Sequence, residues 1–343
     1  MKTNIHEIAL KAGVSIATVS RALNNKGPVN AETKKKILQL AQEYNYKPSP
    51  LARGLSRQQT ETIGVILPEL VDEFFSEILR GIDEEAYQSN NYVLVSSSHS
   101  QRNTMETLLE FMSSGRVDGV ILMAPKIQQD MAAVIQKSKR PVVLLNCGKD
   151  IENVVSVNIN DYRGAVNIVE HLIEHGYQRL AMMKGPKGNF DAGERLRGFK
   201  ETLAKHSLKI EPDYIVPGDY TVKSGYYGFM RLMSQSPRPE AIFAANDMMA
   251  LGAYEAARTA NIKIPQDVAI VGFDDIFTSQ YLRPRLTTVH VPIVELGQKA
   301  VQYLLKIISG KMDRDTAHRE ELTTGIVIGG SCGCKEYVAP VMF

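Results

Sequence analysis

"GVSIATVSRALN", residues 13–24, opens on a glycine, sets small and hydroxyl side chains around a few apolar ones, and closes on Arg21 and Asn24. A helix built only for a core would carry larger apolar residues than Val19 and Leu23. One built for a solvated face would carry more charge. Upstream, Ile5, Ile8, Ala9 and Ala12 recur at helical spacing, and Gly13-Val14 supplies a turn. Ser15 is the N-cap type of residue for the helix that follows, whose inward side is Val19 and Leu23. After "NNKGPVN", Ala31 to Tyr44 reads as a third helix with Ile37, Leu40, Ala41 and Tyr44 inward. A helix, a tight turn and a short helix showing hydroxyls, a cation and an amide describe a helix-turn-helix.

Such a second helix enters a major groove about 12 Å wide, so small side chains at its start permit close approach. Ser15, Thr18 and Ser20 are expected to donate to phosphates, and Ile16 and Ala17 to press on base edges and thymine methyls. Arg21 and Asn24 carry donors and, in Asn24, an acceptor suited to guanine, adenine or phosphate. In the run Lys34-Lys35-Lys36, Lys34 is either a phosphate contact or part of a solvated face. Residues 1–60 hold ten Lys and Arg against three Glu and no Asp, a net +7; the other 283 hold thirty against thirty-five, a net −5. A basic head on an acidic body makes double-stranded DNA the expected partner, whereas a plain three-helix cap would leave that charge without purpose.

A linker follows in "KPSPLARGLSRQQT". From Thr62, apolar runs alternate with amphipathic helices: "TIGVILP", "YVLVSS", "VDGVILMA", "PVVLLN", "RLAMMKG", "EAIFAAND" and "VAIVGFDD". Runs apolar on both faces mean parallel strands covered on two sides. Seven exceed one comfortable sheet, so the fold class is α plus α/β: a head at 1–47, a linker at 48–61, and two doubly wound lobes over 62–343. A ligand crevice is expected at the carboxyl ends of the strands. There Arg195 brings five donors, Asn246 and Asp274 close strands, and Phe74, Phe75 and Tyr220 offer ring faces to a sugar or ribose. Asp247 and Asp275 are read instead as caps or cross-links.

Neither a signal-peptide core nor a membrane span is visible, which implies a cytoplasmic protein without membrane contact. Three cysteines make no disulfide framework. Cys332-Gly-Cys334 supplies only two metal ligands, and "HLIEH", residues 171–175, fits H-x-x-E-H only formally because its helix ends at Gly176. No metal and no cofactor are therefore expected. A dinucleotide-dependent enzyme would need G-x-G-x-x-G, which is absent. A free solute-binding protein would share the two lobes but not the basic head.

"IALKAGVSIATVSRALN" followed by "VNAETKKKILQLAQEYNYKPSPLARGL", with "FFSEILRGI", "ERLRGF", "ANDMMALG" and "VGFDD" in that order, resembles the lactose/galactose repressor family of bacterial transcription regulators across roughly residues 4 to 330. The resemblance implies a homodimeric repressor on a near-palindromic operator, with a body like type I periplasmic binding proteins. It implies a hinge helix whose leucine, here Leu55, wedges into the minor groove, with Ala52 at the hinge–hinge contact. It places Phe74, Phe75, Asn146, Arg195, Tyr220, Asn246 and Asp274 against a small polar effector of the sugar, sugar phosphate or purine class. The chain departs from the family's usual pattern at Ser49, at Gly54, which weakens a helix by about 1 kcal/mol relative to Ala, and at Asp72-Glu73 on the expected pocket rim.

Overall fold

The computed structural model describes residues 4–24, 27–46, 59–68, 72–97, 104–124, 127, 129–148, 151–314 and 316–334. Its contacts divide the chain into two units, Met1–Glu61 and Thr62–Phe343.

The first unit contains helices α1 (Ile5–Ala12), α2 (Ile16–Asn24) and α3 (Ala31–Glu43). Short polar side chains start each one: Asn4 Oδ1 accepts from Glu7 N at 3.0 Å, Ser15 Oγ from Thr18 N at 3.2 Å, and Asn30 Oδ1 from Glu32 N at 2.9 Å. Gly13 sits in the left-handed region at φ +73°, where a side chain would be strained, and this lets α1 turn sharply into α2. Ile8, Val19 and Ile37, one from each helix, are fully buried against one another, with Ala9, Ala12 and Ala22 filling the space between. The expected inward residues Leu23, Leu40 and Tyr44 pack at the margin of that cluster, and Ala22, which the periodicity did not single out, lies inside it.

The second unit is two lobes, each built on one six-stranded sheet. In the first, β1 (Thr62–Leu67), β2 (Tyr92–Ser97), β3 (Gly119–Leu122), β4 (Val142–Leu145) and β5 (Val155–Ile159) stand in the order β2-β1-β3-β4-β5, and β11 (His318–Leu322) adds beyond β5. All pairings are parallel, with Ile63 opposite Gly119 and Val143 opposite Val155. In the second, β6 (Leu180–Lys184), β7 (Ile215–Pro217), β8 (Ala241–Ala244), β9 (Ala269–Asp274) and β10 (Thr287–His290) repeat the order as β7-β6-β8-β9-β10. β12 (Gly325–Val327) closes that edge antiparallel to β10, a departure from the purely parallel lobes expected. The helices are α4 (Glu73–Gln88), α5 (Thr104–Ser113) and α6 (Gln129–Lys137) in the first lobe, then α7 (Asp161–Glu174), α8 (Phe190–Lys205), α9 (Val222–Met233) and α10 (Asp247–Thr259) in the second. Helix α11 (Ile293–Ile308) returns to pack on α4 and β3–β5. The chain thus passes between lobes three times, after β5, β10 and β11.

All seven apolar runs are strands, buried as sheets covered on both faces require; the outer strand β2 is the exposed exception. Phe199, Phe243 and Phe273 form the centre of the second lobe, successive ring centroids lying 6.4 Å apart. Helices α9 and α10 approach so closely that a Cβ at Gly225 would strike the Met249 backbone and one at Gly252 the Val222 carbonyl. No described helix is long and apolar enough to cross a membrane.

Candidate functional site

Repetition of the 2-1-3-4-5 strand order sets one topological switch point in each sheet, between β1 and β3 and between β6 and β8. Chain segments leaving the carboxyl ends of these strands converge on a cavity of about 430 Å³ between the lobes. All seven residues expected there line it: Phe74 and Phe75 from the first turn of α4, Asn146 after β4, Arg195 on α8, Tyr220 after β7, Asn246 after β8 and Asp274 at the end of β9. Phe74 and Phe75 meet edge to face at 5.6 Å between centroids. The departure Asp72-Glu73 shapes this rim directly. Asp72 Oδ1 caps α4 by accepting from Phe75 N at 3.2 Å. Glu73 Oε2 reaches the other lobe and accepts from Thr278 N at 3.1 Å and Thr278 Oγ1 at 2.8 Å.

Arg195 is the electrostatic centre, only 4% exposed. Its Nε donates to Asp161 Oδ1 at 2.7 Å, and its Nη1 donates to the Ala245 carbonyl at 2.5 Å and lies 3.3 Å from Asp274 Oδ1. The guanidinium also lies over the Phe273 ring at 3.7 Å. Burial alone would lower its pKa, but the charges of Asp161 and Asp274 outweigh that and hold it above the ordinary value. The neighbouring carboxyls are raised as well, which for them favours the neutral form. Burial pushes Asp274 up to about 7 although Arg195 opposes it, and burial with the nearby Asp161 raises Asp191 well above the ordinary range.

Asn146 joins the lobes: its Nδ2 donates to Asp191 Oδ2 at 2.8 Å while its Oδ1 accepts from Ile159 N at 3.0 Å. Asn246 is first an N-cap, accepting from Met249 N at 2.9 Å and donating to the Tyr220 carbonyl at 3.1 Å. Asp247 is a buried cross-link to Thr288 Oγ1 and Ile276 N, and Asp275 pairs with His290 Nδ1 at 2.8 Å. Asp191 Oδ1 and Tyr220 Oη are buried and make no hydrogen bond among the described residues. Asp161 and Asp191 escaped the sequence reading. The signal for Asp191 was present, since it stands four residues before Arg195 and so shares its helix face.

In the first unit, Ser15 ahead of α2 and Ile16, Ala17 and Arg21 on it are exposed, with Thr18, Ser20 and Lys34 half-buried. Ser15 Oγ is engaged locally, 2.9 Å from Thr18 Oγ1 as well as capping the helix. The Asn24 side chain, Ala52 and Leu55 lie outside the described residues. Elsewhere the two weak metal signals meet: His171, His175, Cys332 and Cys334 place their ligand atoms within 4.8 Å of one another, although no metal was expected there.

Residues 4–49 match the model of bacterial regulatory proteins of the lacI family, and residues 169–332 that of a periplasmic binding protein-like domain. The chain is 33% identical to catabolite control protein A of Priestia megaterium over 310 residues, 90% of this chain and 93% of that protein. It is also 33% identical to the HTH-type transcriptional repressor CytR of Escherichia coli over 305 residues, 89% of each. Its fold superimposes with a TM-score of 0.86 on the lac repressor dimer bound to operator and the anti-inducer ONPF, at 29% identity and covering 97% of this chain and 99% of that one. With its helix-turn-helix head and two-lobed body, the chain belongs to the lacI family of bacterial regulatory proteins and is a DNA-binding transcription regulator.

Proposed function

We propose that this protein is a dimeric, cytoplasmic repressor without enzymatic activity, whose grip on a near-palindromic operator is set by a neutral polyhydroxyl effector held between the lobes. The head supplies the DNA contacts. Exposed Ile16 and Ala17 lie at the tip of α2 for base edges, with Arg21 one turn further on for a guanine or a phosphate. Thr18, Ser20 and Lys34 border that face and serve the phosphate backbone, and Ser15 does so while keeping its cap. Asn24 reads a base, and Ala52 and Leu55 act in the hinge, Leu55 as a minor-groove wedge. Unstacking there costs a few kcal/mol, offset by contacts that a bent duplex permits. Dimerisation and operator binding follow the related lac repressor assembly.

The observation that carries the effector reading is the pair of buried, unsatisfied polar atoms, Asp191 Oδ1 and Tyr220 Oη, on a cavity wall that also holds Asp274. Carboxylate oxygens accept from vicinal hydroxyls, and the apolar rims of Phe74 and Phe75 suit the face of a sugar ring. Two buried carboxyls, Asp161 and Asp274, and the half-buried Asp191 crowd one buried guanidinium, which disfavours a phosphate at that end of the cavity. Closure of the lobes on such a ligand alters operator affinity only by the difference in its affinity for the two states.

The test begins by selecting an operator from random duplexes and measuring binding by fluorescence anisotropy with neutral sugars, ribosides, sugar phosphates and purine bases. The expected result is a shift in operator affinity with a neutral sugar or a riboside. A response confined to phosphorylated compounds or bare bases would overturn the effector class, and failure to select any duplex would overturn the regulator itself.

A further inference from the structure

The final described segment of the chain runs back into the second lobe beyond β12. Ser331 Oγ donates to the Ile270 carbonyl at 2.6 Å and accepts from Thr287 N at 2.8 Å, which fixes the backbone beside Cys332. Cys332 is fully buried and Cys334, two residues on, is half-buried. Facing them, the last turn of α7 carries His171, with His175 at its C-cap. Residues four apart lie on one helix face, so both imidazoles point the same way.

The separations are those of a coordination shell. His175 Nε2 is 3.0 Å from Cys334 Sγ, and His171 Nε2 is 3.3 Å from Cys332 Sγ and 3.9 Å from Cys334 Sγ. A tetrahedral ion with bonds of about 2.3 Å to sulfur and about 2.0–2.1 Å to nitrogen spaces its S and N ligands about 3.6 Å apart. Protonation is also arranged for it. His175 Nδ1 lies 2.8 Å from the His171 carbonyl, which can only accept, so Nδ1 carries the proton and Nε2 turns its lone pair toward the thiols. A metal-bound imidazole orients itself through its second nitrogen in this way. Thr287 Oγ1 lies 3.0 Å from Cys332 Sγ and is placed to support a thiolate.

We propose that His171, His175, Cys332 and Cys334 form a closed, structural zinc site that ties the segment after β12 to the end of α7. Two thiolates and two imidazoles in a tetrahedron select zinc over hard cations, and four protein ligands leave no open position for catalysis. The site lies at the surface, where exposed His175 gives the ion a way in, and it is separate from the cavity between the lobes. Its role is to anchor the segment that carries the antiparallel edge strand, so that metal loss loosens the second lobe without removing any DNA-facing residue.

The test uses the full-length, untagged protein, reduced and freed of adventitious metal. Elemental analysis after zinc loading should give one zinc per chain. Cobalt(II) titration should give the intense visible absorption of tetrahedral coordination, with thiolate charge transfer, and zinc should abolish both. Zinc should raise the melting temperature of the wild type. Cys334→Ser and His175→Ala, changed where the site is not fully buried, should fold yet weaken zinc binding by more than about 100-fold, the upper range for loss of a mere outer-shell partner. Absence of stoichiometric zinc and of the cobalt spectrum in reduced protein overturns the proposal. So does a Cys332–Cys334 disulfide that takes up no metal after reduction, or undiminished metal binding in Cys334→Ser and His175→Ala.

Discussion

Asn146 Nδ2 donates to Asp191 Oδ2 across 2.8 Å, and this one bond joins the end of a strand in the first lobe to the first turn of a helix in the second. The same amide accepts from Ile159 N, at the end of the next strand in the sheet. Asn146 also adopts φ +46°, a left-handed conformation that Asn tolerates better than most residues. Asn146→Ala would leave the Ile159 N–H and one Asp191 oxygen without partners. Chemical denaturation should show a loss of about 2 kcal/mol or more, and effector titration a weaker affinity, because the cavity wall loses a contact between the lobes.

Asp274, raised to about 7 by burial against the pull of Arg195, makes stability depend on pH. In the unfolded chain its carboxyl ionises near 3.8, so between pH 4 and 7 the folded state holds a proton that the unfolded state has released. Its contribution to stability is full below pH 3.8 and is lost as pH rises through about 7. Asp274→Asn carries no such proton. The stability of wild type minus that of Asp274→Asn should therefore fall between pH 4 and 7, by at most about 1.4 kcal/mol per unit, and level off above. Urea denaturation at a series of pH values measures it, and a difference that rises with pH would contradict the assignment.

Arg21 and Lys34 should part company on DNA. Arg21→Ala should cost about 1–3 kcal/mol on the selected operator and less on random duplex, as expected of a base-reading side chain. Lys34→Ala should weaken both alike and reduce the salt dependence of binding by about one unit of slope, since each neutralised phosphate releases condensed counterions. Anisotropy titrations over a range of salt distinguish the two. Equal losses for Arg21→Ala on both duplexes would count against base readout.

Gly225→Ala should destabilise the second lobe by about 1–3 kcal/mol through overpacking, because the added Cβ would meet the Met249 backbone of α10. Gly193→Ala, on α8 with open space around its Cα, is the control and should be neutral or slightly stabilising. Thermal melts of the two variants measure the contrast.

The head was open to reading because its information is local: caps, a glycine turn and helical spacing are properties of neighbours in the chain. Seven strands were visible for a similar reason, as uninterrupted apolar runs. β5 was not, because Ser156 and Asn158 interrupt its apolar residues and yet are buried, with Asn158 Nδ2 donating to Ser156 Oγ at 3.1 Å. β10, with buried Thr287 and Thr288, and the charged edge strand β11 were hidden likewise. Tyr220, Asn246 and Asp274 were legible as chemistry at strand ends, whereas Arg195, expected there too, reaches the cavity from within helix α8.

What the amino-acid order determined by itself was therefore the head's three helices, the seven apolar strands and the polar groups near their ends. Tertiary structure alone decided which carboxyls would crowd Arg195, since Asp161 acquires its burial only when α7 packs on α8. It decided too that His171 and His175 would meet cysteines about 160 residues away. The physical reason is common to both: burial and convergence are properties of packed surfaces, and distance along the chain does not encode them.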